Sequence, residues 1–140
     1  MQEENVQVSI DFMVPASIVF DAWLNKEMLR KWMFGSPGSE ITEVQLTPEV
    51  DGTFSILERD ISSDEYTDHT GKYIVIASPK ELQFSLSGPG QLGENIVTVI
   101  IHETGSGCRL TLTQLGVANE VSQRNWKNML EQLRLSLENQ

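Results

Sequence analysis

Two histidines, His69 and His102, stand beside carboxylates, Asp68 and Glu103. A histidine held by a carboxylate can move protons near neutral pH. Both pairs are chain neighbours in stretches that alternate like strands, where successive side chains point to opposite faces. Neither is a preformed dyad, and no catalytic residue is assigned. Two histidines without a positioned third ligand also make a poor zinc site. Asp60, Asp64, Glu65 and Asp68 crowd one hairpin turn and raise the question of calcium. The glycine and closing-glutamate spacing of an EF-hand is missing, so a solvated acidic turn is expected and no metal. Gly88-Pro89-Gly90-Gln91-Leu92-Gly93 has the composition of a phosphate loop, but a phosphate cradle opens a helix. Here a strand pattern follows, and a hairpin connection is expected. Cys108, the single cysteine, excludes an internal disulfide and a CxxC pair. Its one close cation, Arg109, should point to the other face, which leaves a structural thiol. No Ser–His–Asp order, nucleotide fingerprint or HExxH is present, and no cofactor is expected.

The remaining candidates are apolar. Trp32, Phe54, Tyr73, Phe84 and Trp126, with Met129 and Leu133, could line a cavity for a small hydrophobic or aromatic molecule. Ile56, Leu86, Val97, Val99 and Leu112 join them as candidate lining residues. Pockets of that kind run to roughly 300–1,000 Å³ and are lined mainly by such side chains. The alternative is a filled core, since interiors pack at a density of about 0.75.

Positioning these residues requires a set of elements that the periodicity predicts. Val6, Val8, Ile10 and Phe12 alternate with polar residues, the signal of a half-buried strand. Pro15 suits a first helical turn, and Ile18, Val19, Ala22 and Trp23 mark that helix's inner face. Asn25 breaks it and caps a second short helix through Met28, Leu29 and Trp32. Gly35, Pro37 and Gly38 end the helical region. From about Ile41 to Leu115 the pattern is strand and turn. Glu49–Gly52 and Gly105–Gly107 read as tight turns in which glycine supplies a positive φ. Leu82, Phe84 and Leu86 alternate with polar partners, as do Val97, Val99 and Ile101, and then Leu110 and Leu112. These are antiparallel strands with one dry face. Tyr73–Ala77 is apolar on both faces, which suggests a covering partner, a second copy of the chain being the candidate. After Gly116, Asn119 caps a helix to about Glu138 with Trp126, Met129, Leu130, Leu133 and Leu137 in one stripe. A sheet with a single dry face must be covered, and only this last helix is long enough to do it. The expectation is an α+β fold, a curved sheet of about seven strands gripping the last helix, with two short helices after the first strand.

With 140 residues, the chain fits one domain over 1–140. Twenty acidic against ten basic residues give a net charge of −10, which argues against nucleic acid and an anionic membrane face. No apolar stretch approaches the roughly 20 residues of a spanning helix. The amino terminus is polar and acidic, unlike a signal peptide, and a cytosolic location is expected.

The order of elements, together with certain residues, resembles the START/Bet v 1-like superfamily (SRPBCC), and within it the homologues of the activator of heat-shock protein 90 ATPase. The pieces are Val14–Trp23, Leu29-Arg30-Lys31-Trp32, Asp51-Gly52-Thr53-Phe54, Gly71–Ile76 followed by Pro79–Leu82, Gly107–Gln114 and the helix around Trp126. They cover nearly the whole chain in order. Asp51-Gly52 stands where the family usually has paired glycine, Gln114 where it often has histidine, and Asn125 where it has glycine before the helical tryptophan. The resemblance implies a helix-grip fold with an apolar cavity between sheet and long helix. Members bind lipids, sterols, polyketides or aromatic compounds, and some are cyclases. Non-enzymatic binding of a small hydrophobic molecule is therefore the leading expectation. A cyclase- or hydrolase-like enzyme would need an ionisable group facing inward, for which Tyr73 and Glu58 are the candidates, with a position beyond the sheet edge open for Glu58. A co-chaperone-like role is the third reading. The activators carry an additional amino-terminal domain for which 140 residues leave no room, so at most weak contact with that chaperone is expected.

Overall fold

The computed structural model describes residues 5–33, 38–87, 95–115 and 120–138. Its elements are β1 (Asn5–Phe12), α1 (Ala16–Asp21), α2 (Lys26–Trp32), β2 (Ser39–Leu46), β3 (Thr53–Asp60), β4 (Tyr66–Ala77), β5 (Glu81–Leu86), β6 (Asn95–Glu103), β7 (Cys108–Leu115) and α3 (Glu120–Glu138). The seven strands form one antiparallel sheet in the order β1-β7-β6-β5-β4-β3-β2. The first two strands therefore lie at opposite edges, and the stretch carrying α1 and α2 makes the crossing. α1 packs on β6, while α2 packs on β2 and α3. This is the expected α+β helix-grip arrangement, with the sheet curved but not closed.

The period-2 pattern becomes a continuous dry face through strand register. Val8, Leu112, Val99 and Leu82 lie side by side on four successive strands, and all are buried. Trp126, Met129, Leu130, Leu133 and Leu137 of α3 are buried against this face. The 19-residue helix is about 28 Å long at 1.5 Å per residue, enough to cross the sheet. Curvature comes from irregularities between Ile41 and Glu43 and between Tyr73 and Val75, because an extra residue bends its strand. The second also bears on the reading of Tyr73–Ala77. Tyr73 opposes Phe84 and Ile76 opposes Leu82, so residues three apart both face inward. Ile74 is exposed, at 36%, so the slip accounts for Ile76 while the outer face keeps an apolar side chain.

Other local expectations change as well. Asn25 caps α2 as predicted, its Oδ1 accepting from Met28 N at 3.0 Å. Ile18 is 45% exposed, whereas Val19, Ala22 and Trp23 are buried as expected and Ala16 and Phe20 join them. In the 49–52 turn the positive φ of 72° belongs to Asp51, not to glycine. Gly52 is needed for another reason: a Cβ there would lie 2.2 Å from the Thr47 carbonyl oxygen. Gly107 likewise admits the Phe12 carbonyl at 2.0 Å from where its Cβ would be. The Gly88–Gly93 loop and the Asn119 cap lie outside the described residues.

Candidate functional site

At the centre of the concave face, side chains from β3, β4 and β5 meet the α1–α2 segment. Phe54 and Tyr73 have ring centroids 5.5 Å apart, and Phe54 meets Phe84 edge-on at 5.5 Å. Trp23, just after α1, is the hub of the cluster. It lies 4.7 Å from Trp32, 6.1 Å from Phe84 and 6.3 Å from Trp126, centroid to centroid. Aromatic pairs at these separations attract beyond their buried area. A remnant space of about 10 Å³ lies between α2 and the sheet, lined by Trp23, Leu29, Met33, Phe54, Ile56, Tyr73, Leu82 and Phe84. That volume holds about one water, so in this closed form the side chains fill the chamber.

All twelve candidate lining residues are buried. Phe54, Ile56, Tyr73 and Phe84 border the remnant space. Trp32, Leu86, Val97, Val99, Leu112, Trp126, Met129 and Leu133 belong to the surrounding core. The space lies beneath α2, and Trp23, Leu29 and Met33 line it although they were not among the twelve. A short helix must close whatever the long helix cannot reach, but no sequence signal gives its crossing point.

The polar groups sort as follows. Burial pushes the Tyr73 phenol well above its ordinary range, so it stays a neutral hydroxyl. Trp126 Nε1–H donates to Gln114 Oε1 at 2.8 Å, tying α3 to β7. His69 finds a partner that its chain neighbours concealed, with Nε2 and Glu58 Oε1 2.9 Å apart. Ser39 Oγ donates to the other oxygen of Glu58 at 2.6 Å. His69 lies opposite Ile56 and Glu58 opposite Thr67, so both project from the inner face beside the chamber. Glu58 is therefore within the sheet and its side chain is only 17% exposed; it does not lie beyond the edge. Register across β3 and β4 brings the pair together, which sequence spacing alone does not show.

His102, on the outer face, is exposed opposite Arg109. In the acidic turn, Asp60 accepts from Ser62 and Ser63, which hold its carboxyl below the usual range. Asp64 pairs with Arg59, and Asp68 accepts from Ser55. Cys108 is fully buried, and burial, with Glu103 and Asp11 adding to it, pushes its thiol up to about 11. Arg109 points away and pairs with Asp11 at 2.7 Å. A concavity of about 810 Å³ lies on the opposite face of β2–β4, with Gln45, Thr53, Ser55, Asp68 and Lys72 in its walls. It is open and polar, unsuited to an apolar guest. No helix of the described residues is long and apolar enough to cross a membrane.

The family model described as Activator of Hsp90 ATPase homolog 1-like protein matches residues 13–138. The chain belongs to this family. The fold agrees with the SRPBCC/Bet v 1-like superfamily to which the resemblance pointed. Among solved structures, a Rhodobacter sphaeroides protein is similar with a TM-score of 0.87 at 16% identity, over 99% of this chain and 98% of that one. A Chromobacterium violaceum protein gives 0.84 at 18% identity, covering 96% and 98%. The AHSA1-like protein from Aeromonas hydrophila gives 0.81 at 18% identity, covering 96% and 92%. At such identities these likenesses concern the fold. A comparison with curated proteins returns no significant match.

Proposed function

We propose that the protein binds a small hydrophobic or aromatic molecule, without transforming it, between the concave sheet face and its helical cover. The observation that carries this is the ring of Trp23, Phe54, Tyr73 and Phe84 around a space that α2 closes. Entry requires α2 to move outward, because a single ring needs far more than the volume now open; a cavity of about 150 Å³ holds benzene. α2 has only seven residues, and Leu29 within it and Met33 at its C-cap border the chamber. Unbranched, polarizable methionine adapts readily to a new neighbour. The test is native mass spectrometry of the purified protein for a retained molecule, followed by amide NMR during titration with toluene and 1-naphthol. Shifts confined to α2 and the inner faces of β3–β5 are expected. Absence of a retained molecule, with no shifts up to the solubility of either probe, would defeat the proposal.

One observation favours a second reading, a hydrolase- or cyclase-like catalyst. The Glu58–His69 pair supplies the inward-facing ionisable groups that such an enzyme requires. Glu58 stands between Ser39 and His69, so the carboxylate, not the histidine, accepts the hydroxyl; this is an acid–base pair without an activated serine. Hydrolysis of p-nitrophenyl acetate above the buffer rate, abolished in His69→Gln, supports that reading; equal rates in both proteins remove it.

A further inference from the structure

The chain has three tryptophans, and two of their indoles have acceptors. Trp32 Nε1–H donates to the Ala22 carbonyl at 3.3 Å and Trp126 Nε1–H to Gln114 Oε1 at 2.8 Å. Trp23 is 2% exposed, and among the described residues its Nε1 is the buried side-chain polar atom left without a partner. Buried donors in native proteins are nearly always paired, because an unmade bond carries the full desolvation cost of the group. The edge-on ring of Trp32, at 4.7 Å and 73°, offers at best a π face, a weaker acceptor than oxygen. Trp23 is also a wall of the remnant space, so the unmade bond and the unfilled volume belong to the same side chain.

We propose that the ligand is a neutral aromatic compound bearing an acceptor oxygen, such as a ketone or ether, and that this oxygen takes the Trp23 Nε1–H. The proposal rests on the chamber reading above and narrows it. Neutrality follows from the lining, in which none of the eight residues is cationic. A carboxylate would enter without a counter-charge, which burial penalises heavily. Tyr73, kept protonated by burial, adds a hydroxyl in the same wall. Fatty acids and purely hydrocarbon guests are thereby disfavoured.

The experiment uses the full chain and two probes of matched shape, acetophenone and α-methylstyrene, which differ in a C=O against a C=CH₂. Affinities are measured by NMR titration for the wild type and Trp23→Phe. Acetophenone is expected to bind the variant roughly ten- to a hundredfold more weakly, the range for one buried donor bond, and α-methylstyrene less than about threefold more weakly. In the wild type, the indole proton resonance absent from Trp23→Phe should move downfield with acetophenone only. That second readout stands even where the variant folds poorly, since the other indoles can be assigned by their own substitutions. If both probes bind but lose affinity equally in Trp23→Phe, or the indole proton responds to both alike, the acceptor proposal is overturned while the chamber stands. If toluene or 1-naphthol binds the wild type but acetophenone does not, the acceptor proposal falls alone; if none of the probes binds and no molecule is retained, the chamber reading falls and takes this one with it.

Discussion

Replacing Gln114 with leucine tests whether α3 is latched to the sheet as the structure shows. Gln114 and Trp126 are 3% and 2% exposed, and the bond between them measures 2.8 Å. Leucine nearly conserves the volume but removes the acceptor of this buried bond. The cost of losing a buried donor's acceptor is about 1–3 kcal/mol. For 140 residues the unfolding entropy is about 0.3 kcal/mol/K, so Tm should fall by about 3–10 °C. Trp126→Phe removes the donor and also leaves a void, so its own cost mixes two effects. The double variant separates them. Once the donor is gone, Gln114→Leu should be nearly harmless, giving a coupling of about 1–2 kcal/mol in a cycle of urea denaturations. Additivity within about 0.3 kcal/mol, or a Gln114→Leu midpoint equal to the wild type, would refute the reasoning. It would mean that water reaches the indole and that the helix does not seal this part of the sheet.

Further outcomes follow from other positions. Gly71→Ala should destabilise by at least about 1–3 kcal/mol through overpacking, because its Cβ would lie 2.0 Å from the Ser85 carbonyl oxygen and 2.4 Å from Phe54 Cζ; an unchanged urea midpoint contradicts that placement. The Cys108 thiol is raised from 9.0 to about 11, so the folded state holds its proton longer than the unfolded one. Its contribution to stability is complete below about pH 9 and is lost as pH rises to about 11. Denaturation from pH 8 to 11 should show a shallower decline in Cys108→Ala, and equal slopes would exclude the effect. The hydrogen bond from Arg109 holds Asp11 below the usual carboxylate range. Carboxyl NMR should find that titration restored to its ordinary position in Arg109→Gln, with little change in the denaturation midpoint because the pair is exposed; an unmoved titration would exclude the bond in solution.

The two polar arrangements beside the chamber differ in how they arise. Strand register sets Glu58 near His69: Ile56 faces His69, so Glu58, two residues further, is its diagonal neighbour. The orphan at Trp23 arises from helix packing, where Trp32, Phe84 and Trp126 crowd the same indole from three elements. Neither is encoded at fixed spacing. By contrast the acidic turn satisfies itself within a few residues, Asp60 with Ser62 and Ser63 and Asp64 with Arg59, and was legible as a solvated turn.

Local pattern was enough to read the elements, their order and most of the faces they bury, Ile18 excepted. Alternation at a period of 2 and recurrence near 3.6 are local, so Val97–Ile101 reads as a strand and Trp126–Leu137 as a one-sided helix without knowledge of their partners. The aromatic side chains of the inner face were legible for the same reason. What meets across elements became visible in the folded chain alone: β1 and β2 lie at opposite edges, a slip after Tyr73 turns Ile76 inward, and α2 rather than α3 closes the space beside Phe54. Those outcomes depend on register, on strand irregularities and on the crossing of a short helix. Each is set by packing between residues far apart in the chain, and no local pattern carries that information.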